Sequence, residues 1–189
     1  FVLHQQTGAV DLFDKALDRW MVRGSSLVGE ETDLNKRTHV FEHYATGRSF
    51  ELLVNEVVVA ENGPVRARVV VKGSLGTIQV EQEWLLYRGL RTVALNLTID
   101  GPRDVPVALQ QIFPTTIEGG AAYFGVPYGT NSFENVMPHL APKAHSRDEA
   151  NYESWVNLRE IQDWVDVSDR TMGVTVATDR QMTVIDAAT

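Results

Sequence analysis

Residues 63–100, GPVRARVVVKGSLGTIQVEQEWLLYRGLRTVALNLTID, carry the clearest structural pattern in the chain. Apolar side chains recur at every second position from Ile78 to Trp84, with Gln82 as the exception, and polar side chains stand between them. Residues 91–100 alternate in the same way. A side-chain period of two is typical of half-buried strands, so the pattern predicts neighbouring β-strands with one mainly apolar face.

Turn residues separate these strands. Asn62-Gly63 lies between two apolar runs, and Asn-Gly in that position is the strongest short signal for a hairpin. Pro64 is predicted to begin the return strand, where its missing amide donor costs least. Gly89 follows the next strand and can adopt the positive φ of a tight turn. Residues 50–100 are therefore predicted to form an antiparallel meander of at least four strands.

Length and composition narrow the class of protein. The chain has 189 residues, which favours one large domain over residues 1–189. Seventeen basic residues against 25 acidic ones give a net charge of −8, which disfavours nucleic acid and anionic membranes as partners. There is no cysteine, so disulfides, thiolate metal sites and cysteine nucleophiles are excluded. No apolar run reaches the length of a membrane span.

The two ends of the sequence suggest a piece of a longer protein. The chain begins FVLHQQTGAV, without a basic region followed by an apolar run, and it ends TVIDAAT shortly after an apolar, strand-like run. Because no signal-peptide pattern is visible, we expect a cytoplasmic protein. We also expect that an active site would lie largely outside these residues.

Two segments fit more than one kind of structure. Residues 10–21 have apolar side chains at helical spacing, with Asp11 placed as a helix cap. A hairpin around Leu17 and Asp18 fits the same residues. Residues 148–165 begin with helix-like steps and end with strand-like alternation. The residue pattern alone leaves both alternatives open.

Residues 105–133 are poor in charge, with Glu118 as the only ionisable acidic or basic side chain. Aromatic side chains alternate there with glycines: Tyr123, Phe124, Tyr128 and Phe133 stand among Gly119, Gly120, Gly125 and Gly129. Core strands, a surface covered by another part of the protein, and a platform for sugar rings all fit this composition. If the stretch packs against another domain, its isolated apolar surface favours self-association, and we expect a homodimer at high concentration.

Histidine spacing gives a weak indication of a metal site. His39 and His43 stand four residues apart, without the glutamate of an HExxH motif. In a strand they would lie roughly 13 Å apart, too far for one ion. Two polar, partly exposed histidines are the favoured interpretation.

Catalytic motifs are equally scarce. No GxSxG, Walker or GxGxxG motif occurs. Glu81 and Glu83 share a strand face at about 6.6 Å, within the range of glycosidase carboxylate pairs, but such pairs are common on solvated strands. Asn96-Leu97-Thr98 matches the glycosylation sequon in the middle of a predicted strand. The residues alone thus predict an acidic β-domain without a self-contained catalytic motif.

Three stretches occur in an order typical of one known family. They are TGAVDLFDKALDRWMV (7–22), the meander (63–100), and a last part that begins AAYFGVPYGTNSF (121–133) and continues as QDWVDVSDRTMGVTVATDRQMTVID (162–186). Together they resemble the C-terminal β-domain of glycoside hydrolase family 38, the retaining α-mannosidases. The resemblance covers nearly the whole chain.

This resemblance implies an all-β fold with little helix, a large antiparallel β-sandwich related to galactose mutarotase, and a hairpin at residues 7–22. It implies that the zinc ion and the catalytic aspartate belong to an N-terminal catalytic domain, so no catalytic or metal-binding residue is assigned here. The chain would support that domain, contact its carbohydrate substrate and be inactive alone. Tyr128 and Asn131, beside the Pro-Tyr-Gly turn, are the candidate substrate-binding residues.

Two other functions stay open from the sequence. A non-catalytic carbohydrate-binding or scaffold module would carry an aromatic platform, flanked by polar side chains, on one sheet. A mutarotase-like sugar epimerase would need a histidine and a glutamate in one cleft, for which His39 or His43 with Glu81 or Glu83 are the candidates.

Overall fold

The computed structural model describes residues 1–37, 43–102, 105–132, 158–179 and 182–185. All regular secondary structure in these ranges is β-strand, which confirms the predicted all-β class. In chain order they are β1 Val2–Leu3, β2 Val10–Asp14, β3 Arg19–Arg37, β4 His43–Glu51, β5 Leu53–Asn62, β6 Arg66–Leu75, β7 Ile78–Tyr87, β8 Val93–Asp100, β9 Val107–Ile112, β10 Ala121–Val126, β11 Gly129–Ser132, β12 Leu158–Ile161, β13 Trp164–Ser168, β14 Gly173–Ala177 and β15 Met182–Ile185.

The chain divides into two compact units, Phe1–Pro114 and Thr115–Thr189. The expectation that residues 1–189 form one domain stays a prediction. Across the described ranges, no helix has the length and apolar character needed to span a membrane.

The first unit contains the predicted meander. Strands β5, β6, β7 and β8 form an antiparallel sheet in that order. Asn62 ends β5, and Gly63 donates its N–H to the Arg66 carbonyl, so the Asn-Gly hairpin is confirmed. The return strand begins at Arg66 and not at Pro64, because the turn needs three residues before regular pairing resumes.

A second sheet of the first unit has the order β1-β2-β3-β4, with β9 also paired to β3. β3 is 19 residues long and pairs with β2 near its start and with β4 and β9 further along. The hairpin alternative for residues 10–21 is therefore correct, and the helix alternative is wrong. Asp11 lies within β2 and does not cap a helix.

Local side chains explain that hairpin. The Asp14 carboxylate accepts hydrogen bonds from the N–H groups of Ala16 (2.8 Å) and Leu17 (3.1 Å), which closes the turn without glycine. Asp18 takes the positive φ of 52° that the turn requires. Aspartate tolerates this backbone conformation better than most residues, because its short polar side chain can bond locally.

Side chains from both sheets form the core of the first unit. Leu27 of β3 packs in one buried cluster with Val71, Ile78 and Val80 of the meander. Val107 and Leu109 of β9 are partly buried hydrophobic residues packed against this cluster. The two apolar faces are thus buried against each other, as in the predicted sandwich.

A buried polar chain also joins the two sheets of this unit. Gln82 of β7 donates from its amide nitrogen to the Gln111 amide oxygen at 2.9 Å, and Gln111 of β9 donates to the Ser25 hydroxyl at 3.0 Å. Gln82 and Ser25 are almost fully buried. Gln82, the exception in the apolar alternation of β7, therefore has a structural role at the interface of the sheets.

The second unit contains two antiparallel sheets among its described residues. Strands β11, β10, β13 and β14 form one sheet in that order, and β12 pairs with β15. Leu158 and Ile161, which have helix-like spacing in the sequence, bound the strand β12. Phe124 of β10 is buried, with 3% of its surface exposed.

Candidate functional site

The two predicted substrate-binding residues belong to the β10–β11 hairpin. Tyr128 lies in the turn, where its side chain is fully exposed and its φ is 69°. Asn131 lies on β11 opposite Phe124, and its side-chain oxygen accepts the Ser132 N–H at 2.9 Å. The hairpin thus presents Tyr128 to solvent, while Asn131 shares the sheet face of the buried Phe124. Their role in substrate binding stays a prediction.

The opposite face of the same sheet carries a different set of side chains. Tyr123 of β10 pairs with Asp166 of β13, and Asp166 pairs with Thr175 of β14. Trp164 precedes Asp166 by two residues, so it projects from the same face and lies diagonally across from Tyr123. We call Tyr123, Trp164, Asp166, Ser168 and Thr175 the aromatic–polar face.

Gly125 lies close to the Trp164 ring and to the backbone at Gln162. A side-chain carbon on Gly125 would lie 3.1 Å from the Trp164 ring nitrogen and would overlap the Gln162 carbonyl oxygen. The Gln162 N–H also donates to the Gly125 carbonyl at 2.9 Å. Glycine is required here because only its missing side chain lets the backbone at Gln162 approach. A side chain at position 125 would therefore also crowd the Trp164 ring.

Polar groups on this face are ordered by short contacts. The Thr175 hydroxyl donates to the Asp166 carboxylate at 2.6 Å. The Asp169 carboxylate accepts hydrogen bonds from the N–H groups of Thr171 and Met172, at 2.6 and 2.9 Å, and from the Thr171 hydroxyl. These bonds shape the turn that follows β13 and hold its side chains at the end of the aromatic–polar face.

An open cleft of about 560 Å³ lies beside Tyr123. It is lined by Gly119, Ala121, Tyr123, Ser168, Asp169, Arg170 and Thr171. Most of the cleft is open to solvent, so it would contact one face of a ligand and would not enclose it. It combines an aromatic ring with hydroxyl, carboxylate and guanidinium groups. That combination suits a ligand with both an apolar face and several hydroxyl groups.

Glu83, one of the paired glutamates of β7, is engaged by neighbouring side chains. Glu83 accepts hydrogen bonds from Asn96 and from Arg68, both at 2.7 Å, and these bonds hold the pKa of Glu83 below its usual value. A carboxyl group kept ionised in this way is a poor general acid. Glu81 is exposed on the same strand. Of the two histidines proposed as partners of these glutamates, His39 lies outside the described residues and His43 begins β4.

Asp11 of β2 is a buried carboxylate that contacts a histidine. The sequence pattern indicated Asp11 only as a helix cap. Asp11 accepts the Gly24 N–H at 2.6 Å, and its other oxygen lies 3.0 Å from the His4 ring nitrogen. Burial raises the pKa of Asp11, but the hydrogen bonds from His4 and Gly24 outweigh it, so the pKa lies below its usual value. This contact ties the start of the chain to β2 and β3.

No group of three or more histidine, aspartate or glutamate side chains capable of holding a metal ion occurs in the part of the chain that the structure describes.

The aromatic–polar face was only partly visible in the sequence. Tyr123 belongs to the charge-poor stretch for which a sugar platform was one of three interpretations, whereas Trp164 comes from a separate segment. The strand alternation of residues 164–167 was the available signal, but the pairing of β10 with β13 is needed to bring the two rings to one face.

A comparison with models of known protein families gives a match. The family model described as the glycosyl hydrolases family 38 C-terminal domain matches residues 2–184. No curated protein matches the chain.

Proposed function

Because the chain belongs to the C-terminal domain family of the family 38 glycosyl hydrolases, we propose that it is the non-catalytic β-domain of an α-mannosidase and that it binds carbohydrate. The family implies a multidomain enzyme in which catalysis belongs to another domain. In this proposal the chain supports the catalytic domain and holds part of the glycan on its aromatic–polar face.

The observation that carries carbohydrate binding is the shared face of Tyr123 and Trp164. Tyr123 is 39% exposed, and Trp164 is half-buried beside Gly125. Aromatic rings offer flat apolar surface, on which the C–H face of a sugar can stack, and the tyrosine hydroxyl adds a polar contact. Asp166 and Thr175 next to the rings can bond sugar hydroxyls.

Tyr128 supports a second carbohydrate contact at the tip of the β10–β11 hairpin. A bulky residue with positive φ is strained, and an exposed ring contributes little to the stability of the unit that carries it. Strained residues of this kind cluster at ligand-binding sites. We assign Tyr128 to the rim of the substrate cleft of the complete enzyme and Asn131 to a supporting position.

The test is titration of the 189-residue chain with methyl α-mannoside, followed by calorimetry or NMR. Tyr123→Ala removes the stacking ring and should weaken binding by at least about tenfold, the equivalent of about 1.4 kcal/mol. Tyr87→Ala is the matched control, because Tyr87 is also 39% exposed but lies on β7 of the first unit. Equal loss in both variants, or no binding by the unmodified chain at about 10 mM sugar, would contradict the proposal.

A further inference from the structure

The meander sheet has two edge strands that differ in their protection. β8 pairs with β7 in one uninterrupted register from Leu86↔Val93 to Gln79↔Asp100. Among the described residues, β7 is the only strand that pairs with β8. An edge strand presents a row of unpaired N–H and C=O groups, which can pair with a further strand.

The other edge, β5, has the features that natural proteins use to block such pairing. Its register to β6 shifts between Val54 and Glu56 and again between Val59 and Glu61. Each shift therefore has a charged side chain beside it. Bulges and charges on an edge strand discourage the addition of another strand. β5 is thus a protected edge.

β8 lacks this protection. From Val93 to Ile99 it contains no charged residue and no proline. Leu97 is 37% exposed and Ile99 is 48% exposed, although both belong to the apolar positions of the strand. A long, regular, uncharged edge strand with exposed apolar side chains is an available pairing site.

We propose that β8 pairs with β8 of a second copy of this chain, antiparallel and centred on Asn96. In this register Val93 lies opposite Ile99 of the second copy, and Leu95 lies opposite its Leu97. These four apolar residues therefore each meet an apolar residue on the same face. Registers centred on Leu95 or Leu97 place at least one of the four opposite a residue that is not apolar or beyond the strand end.

Charge at the two ends of the strand favours the same occupant. Arg91 precedes β8 and Asp100 ends it. Antiparallel pairing brings the Arg91 end of one copy beside the Asp100 end of the other. The exposed Arg91 guanidinium, which pairs with Asp14 of its own chain at 2.9 Å, thus approaches the Asp100 carboxylate of the second copy at both ends of the ladder. The uncharged centre adds no repulsion between like charges. The resulting dimer has a continuous eight-stranded sheet.

Cross-linking tests the register directly, because the chain has no cysteine of its own. Directly opposite residues of an antiparallel pair have Cα atoms about 4.5–5.5 Å apart, within the reach of a disulfide. Asn96→Cys should therefore form disulfide-linked dimers under mild oxidation. Thr98→Cys is the matched control on the same face and strand: its two copies would lie roughly 13 Å apart and should not be linked.

A second pair of variants tests the edge without oxidation. Leu97→Lys places a charge on β8 and should raise the dimer dissociation constant by at least about tenfold in sedimentation equilibrium. Val59→Lys, on the protected edge β5, where the side chain is 64% exposed, should leave that constant unchanged. A monomeric chain at about 1 mM, equal cross-linking of both cysteine variants, or equal effects of both lysine variants would overturn the proposal.

Discussion

Asp11 and Glu83 show how single carboxylates of this chain are held ionised by neighbours. Asp11 is buried, and its two oxygens contact the Gly24 N–H and the His4 ring nitrogen. Glu83 lies nearer the surface, between Asn96 and Arg68. In both cases the pKa lies below the usual value, because the hydrogen bonds favour the charged form. These residues stabilise the first unit and are poorly suited to proton transfer.

Asp11 gives the fold a dependence on pH. Its pKa is lower in the folded chain than its usual value near 3.8, so its stabilisation is present above that value and is lost as the pH falls through the folded pKa. Asp11→Asn should lower the free energy of unfolding at pH 7 by about 1–3 kcal/mol. The difference from the unmodified chain should shrink below about pH 4.

Urea unfolding between pH 7 and pH 3 measures this effect. Asp100→Asn is the control, because Asp100 is exposed at the end of β8. A difference for Asp11→Asn that stays constant over the whole pH range would show that the carboxylate charge has no part in the contact.

Individual strands of the first unit are joined by polar as well as apolar contacts. The Ser25–Gln111–Gln82 chain connects β3 and β9 of one sheet with β7 of the other. A buried hydrogen-bonding group that loses its partner keeps the full penalty of its desolvation. The chain of bonds therefore specifies how β7 lies over the other sheet.

Removal of one of these hydrogen bonds should lower the stability of the protein. Ser25→Ala leaves the Gln111 amide nitrogen without its acceptor and should lower the free energy of unfolding by about 1–3 kcal/mol. Ser26→Ala, at the next residue of β3, is the control, since Ser26 takes no part in the hydrogen bonds that link Ser25, Gln111 and Gln82. Thermal unfolding of both variants measures the difference, and similar melting temperatures would argue that the bond to Ser25 contributes nothing.

The chain combines a first unit with a buried apolar core and a second unit with an open cleft, and its family is that of a domain that is not the catalytic one. The net charge of −8 disfavours nucleic acid as a partner. In our proposal its function lies in contacts with carbohydrate and with the rest of the enzyme.

Tyr128 should separate function from stability in the complete enzyme. Tyr128→Gly relieves the strain of a positive φ and removes an exposed ring, so the melting temperature should stay the same or rise, by an amount equivalent to about 1 kcal/mol. The Michaelis constant for an aryl α-mannoside should increase several-fold. Leu17→Gly, at another exposed turn position, should leave the Michaelis constant unchanged. A large fall in melting temperature for Tyr128→Gly would show instead that the ring is part of the fold.

Much of the fold follows from local patterns of residues. Alternation from Ile78 to Trp84 indicated the strand β7, and Asn62-Gly63 indicated its neighbouring hairpin. Such patterns act between residues that are close in the chain, so they can be recognised without knowledge of distant contacts. They could not settle residues 10–21, where apolar spacing fits a helix and a hairpin alike, and only the pairing of β2 with β3 excludes the helix.

The candidate site depends on contacts between distant parts of the chain. Alternation at residues 164–167 indicated a strand, but it did not indicate which strand would pair with it. Pairing of β10 with β13 brings Trp164 to the face of Tyr123, and pairing of β13 with β14 adds Thr175 to Asp166. In the same way, the sequence does not explain why Gln82 stands in an apolar pattern, whereas the structure shows its hydrogen bond to Gln111. The register and packing of strands far apart in sequence determine these neighbours, and local propensity carries no information about them.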